Sequence, residues 1–482
     1  MPKGFTSLHK HAIILGIFVI IYFLYFTTAS FLRYDNFYTG RFDLGNMDQA
    51  VWNTTQGRIF QTNGQDGEII SRHAVHADFI LILLAPFYFI WEHPKTLLLI
   101  QTSILALGAV FVYAISKNVL KNKNLSLVFA FLYLFNPAMQ YTNLYDFHAV
   151  TLATTFLLGA FYFLYQKRYF LFLLFALLAA LTKEQIWIII ALFGLYTIFR
   201  SRIKTLSTIR LSKPQILGIA TFIVSLGIFY LLIWHVIPQA REGGHFALSY
   251  YSDFGESPTN IIKNIFLSPQ KTLGTFFQKE QSDYLTQLFL PLGFFSLLSP
   301  LYLVFTAPDL LINLLSSNDN LHQIYYQYSA AITPFIFISA IYGTRRLKIW
   351  FPKVSYALFA FYLLISTFYA SYSYGPLPFA KKPNIDMFIK PQENKEEIES
   401  YLSQIPNSYS VAATNNAGSH LSQRQVIYTI PYGIEKADIV VFLLSDKKSQ
   451  EEFEDEVKTV KSNKNYKEVY RINQSFIVFE KQ

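Results

Sequence analysis

Long apolar runs with almost no charge limit most strongly what this chain can fold into. Four such runs cover residues 12–32, 96–116, 214–236 and 354–370. A bilayer core takes roughly 20 apolar residues for each spanning helix, so runs of this length indicate transmembrane helices. Only 15% of the 482 residues are charged, against about 25% in soluble domains. We therefore expect an all-α polytopic membrane protein.

The basic residues predict how the helices are oriented. Because Lys and Arg gather in cytoplasmic loops, we place the N-terminus inside. The loops 117–124, 166–168, 200–213 and 345–349 then become cytoplasmic, and they contain no Asp or Glu. Polar chemistry is thus expected on the extracytoplasmic face. The eleven predicted spans lie at about 12–32, 96–116, 125–141, 149–165, 169–182, 186–199, 214–236, 286–299, 301–317, 328–344 and 350–372.

Two further regions complete the predicted organisation. The apolar segment 77–92 is short, and counting it as a span would reverse every later loop, so we interpret it as a helix lying in the outer interface. After Gly375 the pattern alternates between helical segments at 393–405 and 447–463 and β-rich segments at 409–413, 438–443 and 473–479, which is typical of a small α/β domain. We predict a transmembrane domain over residues 1–375, with a first outer loop at 33–95, and an extracytoplasmic α/β domain over 376–482.

Composition excludes several classes of site and partner. The chain has no cysteine, which excludes disulfides and thiolate metal ligands. Its net charge of +9 falls largely on the predicted cytoplasmic loops, whereas nucleic-acid binding needs a basic face on a soluble domain. We expect membrane lipids as partners and no nucleic acid.

The first outer loop contains two candidate catalytic acids, Asp43 and Asp48. Five residues apart on a continuous helix, they would point about 140° away from each other, so they need not share a role. A carboxylate at the membrane surface can deprotonate an acceptor hydroxyl. The alternative is that Asp43 caps a helix and Asp48 is a solvated residue.

Other polar residues gather farther along the predicted outer face. His73, His76 and Asp78 are a candidate set of ligands for a divalent metal such as Mg or Mn, since His and Asp both bind divalent ions; the alternative is a polar rim before an apolar helix. Lys183 can bind a phosphate as a point charge, with Glu184 beside it, and the alternative is a structural pair in a tight turn. The candidate substrate-binding residues are Arg72, His73, His76, Asp146, His148, Lys183, Glu184 and His322.

Together these features resemble the GT-C superfamily of membrane glycosyltransferases. More closely, the chain resembles a family of uncharacterised prokaryotic membrane proteins grouped with that superfamily. The likeness covers nearly the whole chain, in order and in predicted membrane side. It is carried by Phe42-Asp43-Leu44-Gly45, Asp48-Gln49, Trp52, His73, His76-Ala77-Asp78, Asp146-Phe147-His148, Thr182-Lys183-Glu184, Tyr328-Ser329-Ala330, Val411-Ala412-Ala413-Thr414-Asn415-Asn416 and His420-Leu421-Ser422-Gln423-Arg424.

The resemblance implies an inverting sugar transfer from a polyprenyl-phosphate donor to a glycan, lipid or protein acceptor outside the plasma membrane. It places an acid of the first outer loop at the reaction centre, which falls on Asp43, with Asp48 as the next candidate. The directly adjacent acidic pair of several GT-C enzymes is absent here. The competing hypothesis is a transporter or lipid-handling protein without catalysis, because Lys183 and Glu184 also suit a permeation path.

Overall fold

The computed structural model describes residues 3–200, 211–241 and 246–482. Residues 201–210 of the predicted cytoplasmic loop lie outside the described part. Among the described residues, three helices are long and apolar enough to cross a membrane, Lys10–Asp35, Lys95–Leu120 and Lys213–Arg241. They coincide with three of the predicted runs. Five further apolar helices among the described residues are shorter, at 10–17 residues, and the predicted count of eleven spans is not confirmed.

Helices make up most of the chain before residue 375. The α-helices in this part are α1 Lys3–Asp35, α2 Asn46–Thr55, α3 Ile80–Tyr88, α4 Lys95–Leu120, α5 Lys123–Leu134, α6 Pro137–Leu144, α7 Ala153–Tyr165, α8 Tyr169–Ala180, α9 Ile186–Arg200, α10 Lys213–Leu231, α11 Ile237–Arg241, α12 Pro258–Leu267, α13 Pro269–Phe276, α14 Lys279–Phe289, α15 Ala307–Leu314, α16 Thr333–Trp350 and α17 Tyr356–Tyr374. One-turn π-helices lie at Arg41–Gly45 and Leu232–Val236. Short 3-10 segments lie at Arg72–Ala74, Ala149–Leu152, Phe246–Phe254, Leu290–Leu292, Phe295–Leu298, Pro300–Thr306, Asp319–His322 and Gln327–Ser329.

The segments predicted as spans at 286–299 and 301–317 are not continuous α-helices. Helix α14 ends at Phe289, and 3-10 turns follow it up to α15. Pro291 has no backbone N–H to donate, and Gly293 and Phe294 have φ angles of +55° and +59°, a left-handed conformation that ends a helix. These three residues therefore interrupt the helical hydrogen-bond ladder within the predicted span 286–299.

Helix α3 occupies the segment predicted to lie in the outer interface. Its nine residues extend for about 13 Å at 1.5 Å per residue, which is too short to cross a bilayer core. Ile80, Leu81 and Leu84 are buried against the rest of the protein, while Phe89 and Ile90 just beyond the helix are 78% and 84% exposed. An apolar exposed edge of this kind favours contact with lipid, and the position of α3 at the interface stays a prediction.

A small sheet forms the C-terminal part, as the sequence predicted. The first outer loop contributes a separate two-stranded hairpin, β1 Gln61–Asn63 and β2 Ile69–Ser71. The C-terminal elements are α18 Asp386–Ile389, α19 Lys395–Leu402, β3 Val411–Ala413, α20 Asn415–Gly418, β4 Ile427–Thr429, β5 Ile439–Leu443, α21 Lys447–Glu452, α22 Glu454–Ser462, β6 Tyr466–Ile472 and β7 Phe476–Lys481.

The C-terminal sheet is mixed, with strand order β4-β3-β5-β7-β6. Strand β3 runs parallel to β4 and β5, while β7 runs antiparallel to β5 and β6. Every residue of β3 and β5 is buried, which is typical of parallel strands covered on both faces. The predicted domain boundary near residue 375 stays a prediction, although α17 ends at Tyr374.

Helices α9 and α10 meet through two facing glycines. A Cβ atom built on Gly194 would lie 2.6 Å from the carbonyl oxygen of Gly218, and one on Gly218 would lie 2.7 Å from that of Gly194. Close approach of two backbones at small residues is a common way for membrane helices to associate. Neither position has room for a side chain without moving a helix.

We predict that Gly194→Ala destabilises the protein by about 1–3 kcal/mol, the usual cost of overpacking. Gly227→Ala is the matched control on α10, because nothing lies within 4 Å of a Cβ atom at that site. The measurement is the midpoint of thermal unfolding in detergent micelles. Equal midpoints for the two variants would contradict the close contact between α9 and α10.

Candidate functional site

Asp43 lies in the one-turn π-helix Arg41–Gly45, directly before α2. Nε2 of His148 donates a hydrogen bond of 3.0 Å to its Oδ1 atom. The hydroxyl of Tyr145 donates one of 3.1 Å to its Oδ2 atom. The predicted acid of the first outer loop therefore meets the corner at residues 145–148, more than 100 residues away along the chain.

The environment of Asp43 keeps its carboxyl ionised. Burial opposes the charged form, but the hydrogen bond and charge of His148 outweigh it and hold the pKa of Asp43 below its ordinary value. The Tyr145 hydroxyl and the positive charge of Arg72 act in the same direction. The Asp43 side chain is 28% exposed while that of His148 is 7% exposed. A molecule from outside can therefore reach the carboxylate, with His148 behind it.

The corner that carries His148 is itself tied to the first outer loop. Asp146 has a φ of +36° and is buried. Its Oδ2 accepts a 2.8 Å hydrogen bond from the backbone N–H of Gly40, and its Oδ1 lies 3.4 Å from an Arg33 guanidinium nitrogen. Gln101 on α4 accepts from the N–H of His148 at 3.0 Å. Asp146 thus holds the backbone that leads into Asp43 and has no free oxygen facing outward.

Asp48 lies in a different environment from Asp43, although both are in the first outer loop. Its carboxylate is completely buried. It accepts hydrogen bonds from the hydroxyl of Tyr88 at 2.5 Å, the hydroxyl of Ser422 at 2.6 Å and the side-chain amide of Gln423 at 3.2 Å. Burial raises the pKa of Asp48 to about 6, although these three donors oppose the rise. Asp48 is therefore a joint between the first outer loop and the C-terminal sheet rather than a solvated residue.

Neighbouring hydrogen bonds also connect the first outer loop with the C-terminal part of the chain. Gln49 donates to the carbonyl oxygen of Arg424 at 2.9 Å and to the side chain of Asn63. Asn63 in turn accepts from the backbone N–H of Ile427 at 3.0 Å. On the other side, the N–H of Phe42 donates to the Asn415 side chain at 3.1 Å. Two motifs of the family resemblance, one in the first outer loop and one in the C-terminal part of the chain, are therefore in contact.

The three candidate metal ligands are not assembled into one site. Asp78 accepts a forked pair of hydrogen bonds from Arg72, at 3.1 Å from Nε and 2.7 Å from Nη2. The His73 ring lies against Phe60 and Phe79, with centroids 4.7 and 4.9 Å away. No group of three metal-ligating side chains occurs among the described residues. The metal prediction is corrected accordingly, because Arg72 occupies the carboxylate that the metal would need.

His76 and Glu184 form a pair, as their separate motifs did not predict. Nδ1 of His76 lies 2.9 Å from Oε1 of Glu184, and the N–H of Ala77 donates to Oε2 at 3.0 Å. Burial lowers the pKa of His76 to about 4, and the charge of Lys183 contributes to the fall. The histidine is therefore neutral at pH 7. The Glu184 carboxylate is held by two adjacent residues, the ring of His76 and the backbone N–H of Ala77.

Lys183 lies at the mouth of a cavity of about 280 Å³, which we call the Lys183 cavity. Within the described part of the chain, its ammonium has no hydrogen-bond or ion-pair partner. The other polar residues that line it include Glu184, Gln185, Asp309, His76, Asn313, Gln327 and Tyr328. Tyr145, which donates to Asp43, has its ring 4.8 Å from that of Tyr326, and the Tyr326 ring lies 6.1 Å from that of Tyr328. A short row of aromatic rings therefore connects the carboxylate with the cavity. The apolar part of the wall includes Val150, Ile188, Phe229, Ile233, Leu248 and Ile312.

His322 does not line the Lys183 cavity. It is buried, with Nδ1 3.5 Å from the carbonyl oxygen of Asn313 and Nε2 3.5 Å from Asp319. Its neighbours Asn313 and Leu321 do line the cavity. The structure therefore places His322 behind the wall, where it supports the wall rather than facing a bound molecule.

Residues 33–478 match the family described as "Predicted membrane protein (DUF2079)". The chain belongs to the DUF2079 family. The match covers both the first outer loop and the C-terminal sheet, and it supports a membrane location. No curated protein matches the chain.

Sequence reasoning missed Asp309 of this DUF2079 protein. It was placed inside a predicted span at 301–317, whereas the structure puts it on α15 in the Lys183 cavity. Gln185 donates to its Oδ1 atom at 3.4 Å, and its Oδ2 atom is buried without a partner among the described residues. A single acid inside an apolar stretch was the available signal, since such residues mark function by default.

We predict that Asp48→Asn removes a pH dependence of stability. The folded-state pKa of about 6 lies above the unfolded value, so the folded state holds more protons between pH 4 and 6 and loses stability as pH rises through that window. For this buried group the loss is about 3 kcal/mol. An amide can still accept from Tyr88 and Gln423 and donate to Ser422.

The measurement is the thermal midpoint of the wild type and of Asp48→Asn in micelles from pH 4.5 to 7.5. The variant should gain stability relative to the wild type as pH rises. Asp455→Asn is the control, because that side chain is 95% exposed. Parallel curves for all three proteins would show that Asp48 is not the buried, proton-linked joint described above.

Proposed function

We propose that this DUF2079 protein is a membrane glycosyltransferase of the GT-C type. It transfers a sugar from a polyprenyl-phosphate donor to an acceptor hydroxyl with inversion at the anomeric carbon, and Asp43 is the base. The observation that carries the proposal is the pairing of an ionised, reachable carboxylate with a mostly apolar cavity, lined by a lysine that has no hydrogen-bond or ion-pair partner among the described residues. The cavity would bind the lipid-linked donor, and the carboxylate would accept the proton of the acceptor hydroxyl.

The Lys183 cavity matches the donor in chemistry. A polyprenyl phosphate has a compact anionic head on a long apolar chain. The Lys183 ammonium can bind the phosphate as a point charge, and the apolar wall formed by residues such as Ile188 and Phe229 can hold the first part of the chain. Polar groups placed within a mostly apolar pocket are typical of a small-molecule site.

The transfer itself requires one proton acceptor and one stabilised leaving group. The acceptor oxygen attacks the anomeric carbon opposite the phosphate, and the bond between that carbon and the phosphate oxygen breaks with its electron pair on the phosphate. Lys183 offsets the negative charge that develops there. Asp43 takes the acceptor's proton as the new bond forms and the hydroxyl becomes more acidic, so a lowered pKa is sufficient.

The groups around Asp43 have positioning roles in this scheme. Tyr145 and His148 fix both carboxylate oxygens, and each oxygen keeps a lone pair for the acceptor hydroxyl. Asp146 and Gln101 hold the corner on which His148 lies. A reacting group held in one orientation contributes more to the rate than a mobile one.

The reaction would take place on the extracytoplasmic face of the plasma membrane. The proposed topology has the N-terminus inside and the first outer loop and C-terminal domain outside, because the acid-free basic loops 117–124, 166–168 and 345–349 mark the cytoplasmic side. The C-terminal domain, joined to the first outer loop through Asp48 and Gln49, would then orient a glycan, lipid or protein acceptor.

A transporter or lipid-handling protein is the second candidate. Lys183, Glu184 and Asp309 together line one cavity, and ionisable groups in such a place also suit a permeation path. A transporter would bind the lipid-linked sugar and move it without cleaving it. Release of polyprenyl phosphate therefore separates the two functions.

We predict that Asp43→Asn lowers sugar transfer at least about 100-fold, the usual contribution of a general base. The protein is reconstituted in lipid with the polyprenyl-phosphate sugar and acceptor that the wild type uses, and released polyprenyl phosphate is measured. Asp48→Asn is the matched control and should keep most of the activity, because its side-chain amide can keep the hydrogen bonds of the buried group to Tyr88, Ser422 and Gln423. Full activity in Asp43→Asn would refute its role as base.

We predict that Lys183→Gln weakens donor binding about tenfold or more, the value of one charged hydrogen bond. The amide keeps a similar length and cannot carry the charge. Lys279→Gln, at an exposed position on α14, is the control. Donor KM and kcat are measured for both variants, and an unchanged KM in Lys183→Gln would place the phosphate elsewhere.

A further inference from the structure

A second cavity lies at the opposite ends of the helices that form the Lys183 cavity. Its volume is about 610 Å³, and we call it the Arg345 cavity. On α9, Ile188 lines the first cavity and Arg200 the second, about 18 Å apart along the helix. In the same way, Asp309 and Leu301 lie toward opposite ends of segment 300–314. The two cavities share no lining residue.

The polar wall of the Arg345 cavity consists of cations and hydroxyl groups. Arg200 and Arg345 supply the charge, and none of the described lining residues is acidic. One Arg200 nitrogen donates to the Tyr196 hydroxyl at 2.9 Å, and its guanidinium lies 5.1 Å from the Tyr165 ring. The other tyrosines that line the cavity are Tyr302 and Tyr342.

Several apolar side chains that line the same cavity are exposed. Phe199 is 82% exposed, Leu301 is 60% exposed and Val304 is 50% exposed, and all three line the cavity. In a protein that lies in a bilayer, apolar side chains exposed beside helix ends contact lipid chains. The two arginines at this end carry no carboxylate partner within the described residues, so a desolvated anion would offset their charge.

We propose that the Arg345 cavity binds the phosphate headgroup of an anionic membrane lipid. Arg200 and Arg345 contact the phosphate oxygens, since arginine presents several donors in a geometry that matches phosphate. Tyrosine hydroxyls donate further hydrogen bonds, and the acyl chains lie along Phe199, Leu301 and Val304. A free phosphate ion would use the same donors but would leave this apolar wall without a partner, which favours the lipid.

This proposal is independent of the sugar transfer. Arg200 lies about 18 Å along α9 from Ile188 of the Lys183 cavity, and lipid binding at Arg200 needs no covalent step. Basic pockets between helix ends are known places for anionic headgroups. If lipid does not bind at the Arg345 cavity, the proposed function still stands, because cleavage of the sugar donor tests it separately.

The test uses the full chain in micelles with phosphatidylglycerol as the anionic probe and phosphatidylcholine as the zwitterionic one. Retained lipids are counted by native mass spectrometry, and affinities come from titration. The double variant Arg200→Gln with Arg345→Gln should bind phosphatidylglycerol at least about tenfold more weakly. The single variant Arg345→Gln should lose less affinity for phosphatidylglycerol. Because Arg345 is exposed, this substitution should leave the fold intact.

The matched control is Arg346→Gln with Lys348→Gln. Arg346 donates to the carbonyl oxygen of Leu298, and Lys348 donates to that of Pro352; neither lines the cavity. The control should bind phosphatidylglycerol like the wild type. Equal affinity in both double variants would overturn the proposal. Stabilisation by inorganic phosphate alone, as large as that by the lipid and lost in Arg345→Gln, would overturn the lipid as the occupant.

Discussion

The buried carboxylate of Asp48 is the interaction on which the rest of the site depends. A charge without water needs hydrogen-bond donors, and this one takes them from Tyr88 on α3 and from Ser422 and Gln423 beyond residue 420. It therefore joins the first outer loop to α3 and to the C-terminal part of the chain at one point. Helix α2 is fixed by that joint, and so is the π-helical turn just before it, from which Asp43 reaches His148.

Two aspartates five residues apart thus have opposite environments and opposite roles. Burial raises the pKa of Asp48, whereas His148 and Tyr145 outweigh burial and lower that of Asp43. Separated titration of two acids in one site is the usual sign of divided roles. The exposed carboxylate beside an apolar cavity suits chemistry on a lipid-linked substrate. The enclosed carboxylate of Asp48 instead connects the first outer loop with the C-terminal part of the chain.

The sequence predicted what depends on local pattern and missed what depends on distant partners. Three long apolar runs became long apolar helices, while Pro291 and Gly293 broke a predicted span. Of the C-terminal strands, β3, β5 and β7 were expected, but the three-residue β4 and the polar, alternating β6 were not. Asp43 was identified separately from the motif that contains Asp146 and His148; the contact between them, and the pairing of Asp78 with Arg72, required the folded chain.

The most direct measurement is turnover of lipid-linked sugars by the purified wild-type protein in a bilayer. A panel of polyprenyl-phosphate sugars is incubated with hydroxyl-bearing acceptors, and released polyprenyl phosphate and the configuration of the new linkage are determined. The proposed function predicts release with at least one donor, together with inversion at the anomeric carbon. Donor that binds at the Lys183 cavity and is recovered uncleaved with every acceptor would contradict it and favour a lipid-handling protein.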